Sequence, residues 1–213
     1  MFGPRDAADL AKVAEVGLPF WLAGSYGTPE GIAAARASGA VGVQVGTLFA
    51  LAEESGLTPA LRDQLHERLR DGTLEVRTDA LASPTGFPFK VAQLPGTLSE
   101  TVTSADRPRL CDLGYLRTAF VRETGAVGYR CPAEPVHLHV RKGGVAAETD
   151  GRACLCNSLT ANIGLGQTRA DGYSEDALVT LGADLDGARR LAALHPDGWT
   201  ARQAIDWLFS DPT

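Results

Sequence analysis

The feature that most constrains the fold is a strand–helix–strand pattern between residues 19 and 46. Residues 19–23 and 40–45 are two short apolar runs, and each is closed by a glycine. Between them, Thr28 is a typical N-cap residue and Pro29 suits the first position of a helix. A helical crossover makes the two strands parallel, with a right-handed connection. The sequence therefore predicts an α/β fold whose first strand is buried on both faces.

The composition fits a globular α/β enzyme and argues against several other classes. The chain has 213 residues, of which 44% are apolar and 22% are charged, close to the globular average. The net charge of −6 disfavours an electrostatic grip on nucleic acid. The run of charges in residues 5–15 is unlike a signal peptide, and no window approaches a membrane span. We therefore expect a cytoplasmic protein that binds neither nucleic acid nor membrane.

Further elements are predicted after the second strand. The expected helices cover residues 47–54, 59–70, 113–120, 154–162, 185–194 and 200–208. Residues 74–78 alternate between apolar and polar side chains, which is typical of a half-exposed strand, and residues 83–96 are interpreted as an ordered connection. Asp184 is placed to cap the helix over residues 185–194, and Thr200 with Gln203 forms a capping box.

Both strands of the first pattern end in a glycine followed by a hydroxyl residue. These are Gly24-Ser25 and Gly46-Thr47. Ligands of parallel α/β folds bind at the carboxyl ends of strands, and glycine lets backbone N–H groups approach an anion. Strand alternation places Gln44 on the same side as Gly46. The sequence thus favours a phosphate site at these turns, with the alternative that both glycines merely end their strands.

The residues that carry this pattern also resemble a known family. The segment PFWLAGSYGTPEGIAAARASGAVGVQVGTLFALAEESG closely resembles the last two β/α units of the nitronate monooxygenase (2-nitropropane dioxygenase) family of FMN-dependent barrels. The segments SPTGFPFKV, CDLGYLR, GYRCPAEP, KGG and CLCN…ANIGLGQ resemble the carboxyl-terminal region of its longer bacterial members. The same features occur in the related trans-acting enoyl reductases of polyunsaturated-fatty-acid and polyketide synthases.

The resemblance, which spans residues 10 to 170, implies a fold and a cofactor. Residues 1–82 would be the last β/α units of an FMN-binding (β/α)₈ TIM barrel, and residues 83–213 an irregular and helical extension packed on it. FMN would be bound through its phosphate by turn residues that match the family's phosphate loops, namely Gly24, Ser25, Gly46 and Thr47, with Gln44 beside them. The family usually has two glycines where this chain has Gly24-Ser25.

The resemblance also implies an activity, and one sequence segment that the family uses for this activity is absent from the 213 residues. The family oxidises alkyl nitronates with O₂, using a histidine in an H-E-A-G-G-H segment that the 213 residues do not contain. We therefore expect a partial chain that is inactive alone and joins a missing amino-terminal barrel half or forms a homo-oligomer. Two alternatives stay open: reduction of an enoyl thioester with FMN and NAD(P)H, and a non-catalytic fragment that binds a phosphate ligand or a partner.

The remaining polar residues give weaker signals. The four cysteines, whose spacing is unlike that of zinc sites, are expected to be free thiols in an irregular region with no metal: Cys111, Cys131, Cys154 and Cys156. Four arginines could guide an acidic or phosphopantetheine-bearing substrate, although a solvated surface is the more ordinary interpretation: Arg117, Arg122, Arg130 and Arg141. Tyr26 is expected either to contact flavin or substrate or to pack at the rim of the site.

Overall fold

The computed structural model describes residues 8–100 and 107–211 of a mixed α/β protein. The described residues fall into two compact units. The first unit lies within Met1–Gly56, Arg62–Thr73 and Leu181–Thr213, and the second within Leu57–Leu61 and Leu74–Thr180. The division predicted at residue 82 stays a prediction. No helix among the described residues is long and apolar enough to cross a membrane.

The first unit contains the predicted strand–helix–strand pattern and most of the long helices. Its elements are α1 (Leu10–Glu15), β1 (Trp21–Ala23), α2 (Pro29–Ala37), β2 (Gly42–Gln44), α3 (Thr47–Ala50), most of α4 (Pro59–Arg70), α7 (Asp186–Leu194) and α8 (Ala201–Leu208). β1 and β2 pair in parallel, with Leu22 opposite Val43. The Thr28 hydroxyl accepts a hydrogen bond from the Gly31 N–H at 3.0 Å and so caps α2. The pattern predicted from residues 19–46 is confirmed.

The expectation that β1 is buried on both faces is wrong. Leu22 is buried against Ala35 and Ala40, on the face that α2 covers. On the other face, Trp21 is 58% exposed and lies over Gly42, so close that a Cβ on this glycine would stand 2.9 Å from the indole. Among the described residues this sheet has two strands, β1 and β2.

The exposed apolar side chains of the sheet region lead to a prediction about self-association. Trp21 and Val41 are both more than half exposed, and exposed apolar strands with open edges readily pair with other chains. We expect the purified chain to be oligomeric or prone to aggregation, and the double variant Trp21→Gln, Val41→Thr to be less so. Sedimentation velocity over a range of concentrations measures this, and a monodisperse wild-type monomer would contradict it.

The helix expected over residues 47–54 ends at Ala50 because two side chains take its carbonyl groups. The indole Nε1 of Trp199 donates to the Leu48 carbonyl at 2.8 Å, and His66 Nε2 is 2.8 Å from the Leu51 carbonyl. Trp199 is fully buried and meets the His66 ring edge-on, with centroids 4.8 Å apart. These long-range bonds replace the ones that would have continued α3.

His66 makes the stability of this region dependent on pH. Burial lowers its pKa below the usual value, and its Nδ1 has no hydrogen-bond partner within the part of the chain that the structure describes. Because the folded-state pKa lies below the unfolded one, stability is full above the unfolded pKa and is lost as the pH falls through the folded one. We expect the melting temperature to fall between pH 8 and pH 5, and to fall less in His66→Gln. His137→Gln, at an exposed histidine, is the matched control, and an equal slope in all three proteins would contradict this.

The second unit is built from two antiparallel hairpins and several short helices. Its elements are β3 (Val76–Asp79), β4 (Phe89–Ala92), β5 (Thr118–Val121), β6 (Val127–Arg130), α5 (Val136–Arg141), a 3₁₀ helix (Ala146–Thr149) and α6 (Leu155–Ala161). β3 pairs with β4 and β5 with β6. The core of this unit contains Val91, Leu155 and Leu178. The helix expected near residues 154–162 is confirmed, and the strand expected at 74–78 is shifted to Val76–Asp79.

Two other expected elements differ from the structure. Residues 113–120 were expected to be helical, but Thr118–Val121 is a strand, because Gly125, with φ of 80°, turns the chain so that β6 can pair with it. α7 begins at Asp186 with no side-chain cap at Leu185. Asp184 instead accepts a hydrogen bond from the Asp186 N–H at 3.1 Å. The capping box of Thr200 and Gln203 at the start of α8 is confirmed.

Candidate functional site

The two predicted turns follow neighbouring strands, so they begin at the same edge of the sheet. Ala23 and Gln44 are paired in the parallel register, and the turns start within two residues of this pair. Gly24 and Ser25 both have positive φ, of 77° and 53°. Ser25 is the one residue other than glycine with positive φ among the described residues. The first turn thus holds a serine in a conformation that favours glycine.

The strain at Ser25 can be measured. A β-branched side chain suits the left-handed region least, so we expect Ser25→Val to lower the free energy of unfolding by about 1–2 kcal/mol. Ser25→Gly should leave it equal or higher, because the relief of strain offsets the greater freedom of glycine in the unfolded chain. Urea denaturation of the three proteins tests this. Equal stability of the valine variant and wild type would show that the turn does not hold this conformation.

Gly46, at the second turn, has no structural requirement for glycine. Its φ is −102°, which any residue adopts, and a Cβ placed on it would meet no atom within 4 Å. Every other glycine between residues 17 and 46 either has positive φ or would bring its Cβ to within 3.4 Å of a neighbour. The space above Gly46 is open, and the residue is exposed. A group from outside the chain could therefore approach the backbone here as closely as glycine allows.

A segment near the carboxyl terminus crosses the same turns, and the sequence did not reveal it. The Gly182 N–H donates to the Thr47 hydroxyl at 2.9 Å, so the hydroxyl hydrogen of Thr47 can be donated elsewhere. Gly187, in the first turn of α7, lies against Gly27, since its Cβ would stand 2.1 Å from the Gly27 carbonyl oxygen. The two close approaches fix the segment between them over the turns, and glycines at residues 182 and 187 were the only signal.

An ion pair holds α7 beside α2 at this edge. Arg190 binds Glu30 through both guanidinium nitrogens, at 2.8 and 3.0 Å. This contact lowers the pKa of Glu30 to about 2, so the carboxylate stays charged at neutral pH. Because the pair is partly exposed, its contribution is to orientation more than to stability. α7 is thereby positioned with its first turn at the predicted phosphate turns.

The other predicted residues of this edge are placed in different ways. Gln44 is exposed at the end of β2 and lies on the same face of the sheet as Trp21. Tyr26 packs against the cluster of Leu22, Ala35 and Ala40, so its side chain contributes to packing at the rim of the predicted site. α3 has four residues, which makes its dipole a weak attraction for an anion. An anion at this edge would therefore be bound by the backbone N–H groups of the turns and by the hydroxyls of Ser25 and Thr47.

The cysteines and arginines singled out in the sequence lie in the second unit. All four cysteines are free, and Cys131 and Cys154 are buried together. Among the described residues no group of three or more His, Cys, Asp or Glu side chains is arranged to hold a metal ion. Arg130 lies over the Phe120 ring, 4.7 Å from its centroid, and donates to the Lys142 carbonyl at 3.1 Å. The Arg130 guanidinium therefore stabilises the hairpin of β5 and β6.

Two acid groups of the second unit, the buried Glu134 and the exposed Glu148, are bound by other side chains of the chain. Glu134 binds the Lys142 ammonium at 2.5 Å and accepts from the Cys131 N–H. His139, which is 1% exposed, has its Nε2 at 2.8 Å from Glu148, and this contact lowers the pKa of Glu148. These pairs fasten α5 to its surroundings.

Comparison of the chain with protein-family models, with curated proteins and with solved structures gives no match.

Proposed function

We propose that the turns after β1 and β2 bind the phosphate of FMN, and that the chain is the carboxyl-terminal part of a flavin-dependent (β/α)₈ barrel. Gly24, Ser25, Gly46 and Thr47 would hold the phosphate through backbone N–H groups and hydroxyls. FMN would supply the electron transfer. The described residues of the chain bind and orient the phosphate end only.

The observation that carries the proposal is the open space at Gly46. Neither backbone conformation nor packing against the described residues explains a glycine here. Close approach of an anionic ligand to the backbone does explain it. The neighbouring Thr47 hydroxyl, with its acceptor side used by Gly182, is left to donate towards such a ligand.

The conformation of Ser25 gives independent support. The resemblance to nitronate monooxygenases pairs Ser25 with the second of two family glycines. Its φ of 53° lies in the region where glycine is favoured. A turn of this shape, retained at the cost of strain in a serine, is what a backbone cradle for phosphate would require.

For the whole enzyme we propose oxidation of alkyl nitronates by O₂, a reaction in which FMN carries the electrons. The chain would act together with an amino-terminal barrel half that provides the wall for the flavin ring and the histidine. In the two-stranded sheet of β1 and β2 each strand pairs with one neighbour among the described residues, so the open edges suit the addition of further strands. Reduction of an enoyl thioester by NAD(P)H is the alternative reaction, and nitronate-dependent O₂ uptake compared with NAD(P)H-dependent enoyl reduction by the complete enzyme distinguishes them.

The phosphate proposal is tested by comparing FMN with riboflavin, which has the same ring and lacks the phosphate. Calorimetric titration of the purified chain should give binding of FMN and of inorganic phosphate, and at least about tenfold weaker binding of riboflavin, because hydrogen bonds to a charged group contribute about 1.5–3 kcal/mol. Equal affinity for FMN and riboflavin would assign binding to the ring and overturn the proposal. Absence of any flavin binding, with a stable complex to another polypeptide, would favour a non-catalytic partner-binding fragment.

A further inference from the structure

A cleft of about 720 Å³ lies along α4 within the first unit. Three of its lining residues, Arg62, His66 and Arg70, are spaced four residues apart and therefore share one face of the helix. Glu53 and residues 196–198 line it as well. The volume is in the range of sites that bind small molecules.

Both arginines of the cleft are held in place by carbonyl groups of the chain. Arg62 donates from its Nη1 to the Glu53 carbonyl at 2.8 Å, and Arg70 donates from its Nη1 to the Pro196 carbonyl at 2.9 Å. The ion pairs that arginines form among the described residues involve neither of them. Because a guanidinium carries several N–H donors in a planar fork, each keeps donors for a ligand. Much of the entropy of ordering these side chains is already lost in the fold, which favours binding.

His66 lies between the two arginines on the helix and is neutral at neutral pH. It is 7% exposed, and its Nε2 carries the hydrogen, since this atom is 2.8 Å from the Leu51 carbonyl, which can only accept. Burial lowers the pKa of His66, and Arg70 and Arg62 lower it further, each more strongly than Asp63 raises it. The electrostatic potential at the middle of the cleft is therefore positive, and the two guanidiniums are its source.

We propose that the cleft binds a linear dicarboxylate, with one carboxylate on Arg62 and the other on Arg70. The guanidinium fork matches the geometry of a carboxylate. The Cα atoms of the two arginines are about 12 Å apart along the helix axis, so a ligand with two separated anionic groups is needed to use both. Three exposed carboxylates also line the cleft and disfavour ligands of higher negative charge, such as a bisphosphate: Glu53, Asp63 and Asp197.

This proposal does not depend on the phosphate site at the turns after β1 and β2. A single phosphate group, as in FMN, has one anionic centre and engages one of the two arginines at a time. Inorganic phosphate and FMN should therefore bind this cleft more weakly than a dicarboxylate does.

The experiment compares adipate with hexanoate, which has the same chain length and one carboxylate fewer, in amide shift titrations of the ¹⁵N-labelled full chain. We expect adipate to shift the amides around Arg62, His66, Arg70 and Gly198 and to bind at least about fivefold more tightly, because its second carboxylate adds a partly exposed charge pair. Equal affinities, shifts confined to other regions, or no shifts would overturn the proposal. Tighter binding of a linear bisphosphate of the same length would overturn the choice of carboxylates.

The roles of the two arginines are tested with matched variants. Arg62→Gln and Arg70→Gln should each weaken adipate binding about fivefold, so that adipate and hexanoate bind alike to either variant. Arg68→Gln, on the same helix and outside the cleft, should keep the wild-type preference, and circular dichroism checks that each variant is folded. A wild-type preference for adipate in folded Arg62→Gln or Arg70→Gln would contradict the assignment. The comparison of the two ligands on the unsubstituted chain tests the proposal without any variant.

Discussion

The purified 213-residue chain, given excess FMN, is expected to oxidise alkyl nitronates no faster than an equal concentration of free FMN. The turns after β1 and β2 can hold a phosphate, but turnover also needs a positioned base and a wall for the flavin ring. A general base contributes about 10²–10⁴-fold to a rate, and orientation of the reactants can contribute more. Enoyl-thioester reduction with NAD(P)H should likewise stay at the level of free flavin.

The control for this expected inactivity is reconstitution. Mixing the chain with an amino-terminal barrel half that carries the histidine segment should restore turnover, and this chain with Gly46→Val should restore it poorly. O₂ uptake with an alkyl nitronate measures both. Robust turnover by the chain alone would place the active site elsewhere, and His137 and His139 would then be the first residues to replace.

The second large effect is expected from Gly46→Val, which should abolish detectable binding of FMN and of inorganic phosphate. A branched side chain would occupy the space above the backbone through which the ligand approaches. Since a Cβ at Gly46 meets no atom within 4 Å, the fold should survive, with helix content by circular dichroism nearly unchanged. Calorimetry or quenching of flavin fluorescence measures the binding.

Two further variants complete the comparison. Ala34→Val adds a valine on the exposed side of α2 and should bind as wild type does. Thr47→Ser keeps the hydroxyl and should lose little, whereas Thr47→Ala also removes the acceptor of the Gly182 N–H and so affects the fold as well as the site. Wild-type affinity in folded Gly46→Val would remove Gly46 from the phosphate site.

The parts of the fold that were predictable are those with local signals. The pattern of residues 19–46 contains two short apolar runs, a threonine cap and a proline at the first helical position, and each acts within a few residues. α4 and α8 likewise have local start signals, in Pro59 and in the capping box of Thr200 and Gln203. Such elements follow from hydrogen bonds that the segment makes with itself.

The parts that were missed depend on contacts distant in sequence. α3 ends early because Trp199 and His66 bind its carbonyl groups, and nothing in residues 47–54 indicates that. The strand at Thr118–Val121 forms because β6 pairs with it, in agreement with the strand preference of Thr118, Phe120 and Val121, which the expected helix over residues 113–120 did not take into account. At the candidate site, the position of the two turns at the carboxyl ends of parallel strands was predictable. The positive φ of Ser25 and the approach of Gly182 to Thr47 were not.

The most direct test of the central claim is an amide chemical-shift titration of the ¹⁵N-labelled chain with FMN. If the turns bind the phosphate, the largest shifts appear at the amides of Gly24, Ser25, Gly46 and Thr47, inorganic phosphate reproduces them, and riboflavin does not. Shifts concentrated elsewhere, such as at the cleft of about 720 Å³ that Arg62, His66 and Arg70 line, would contradict the claim, as would the absence of any shift at these four amides.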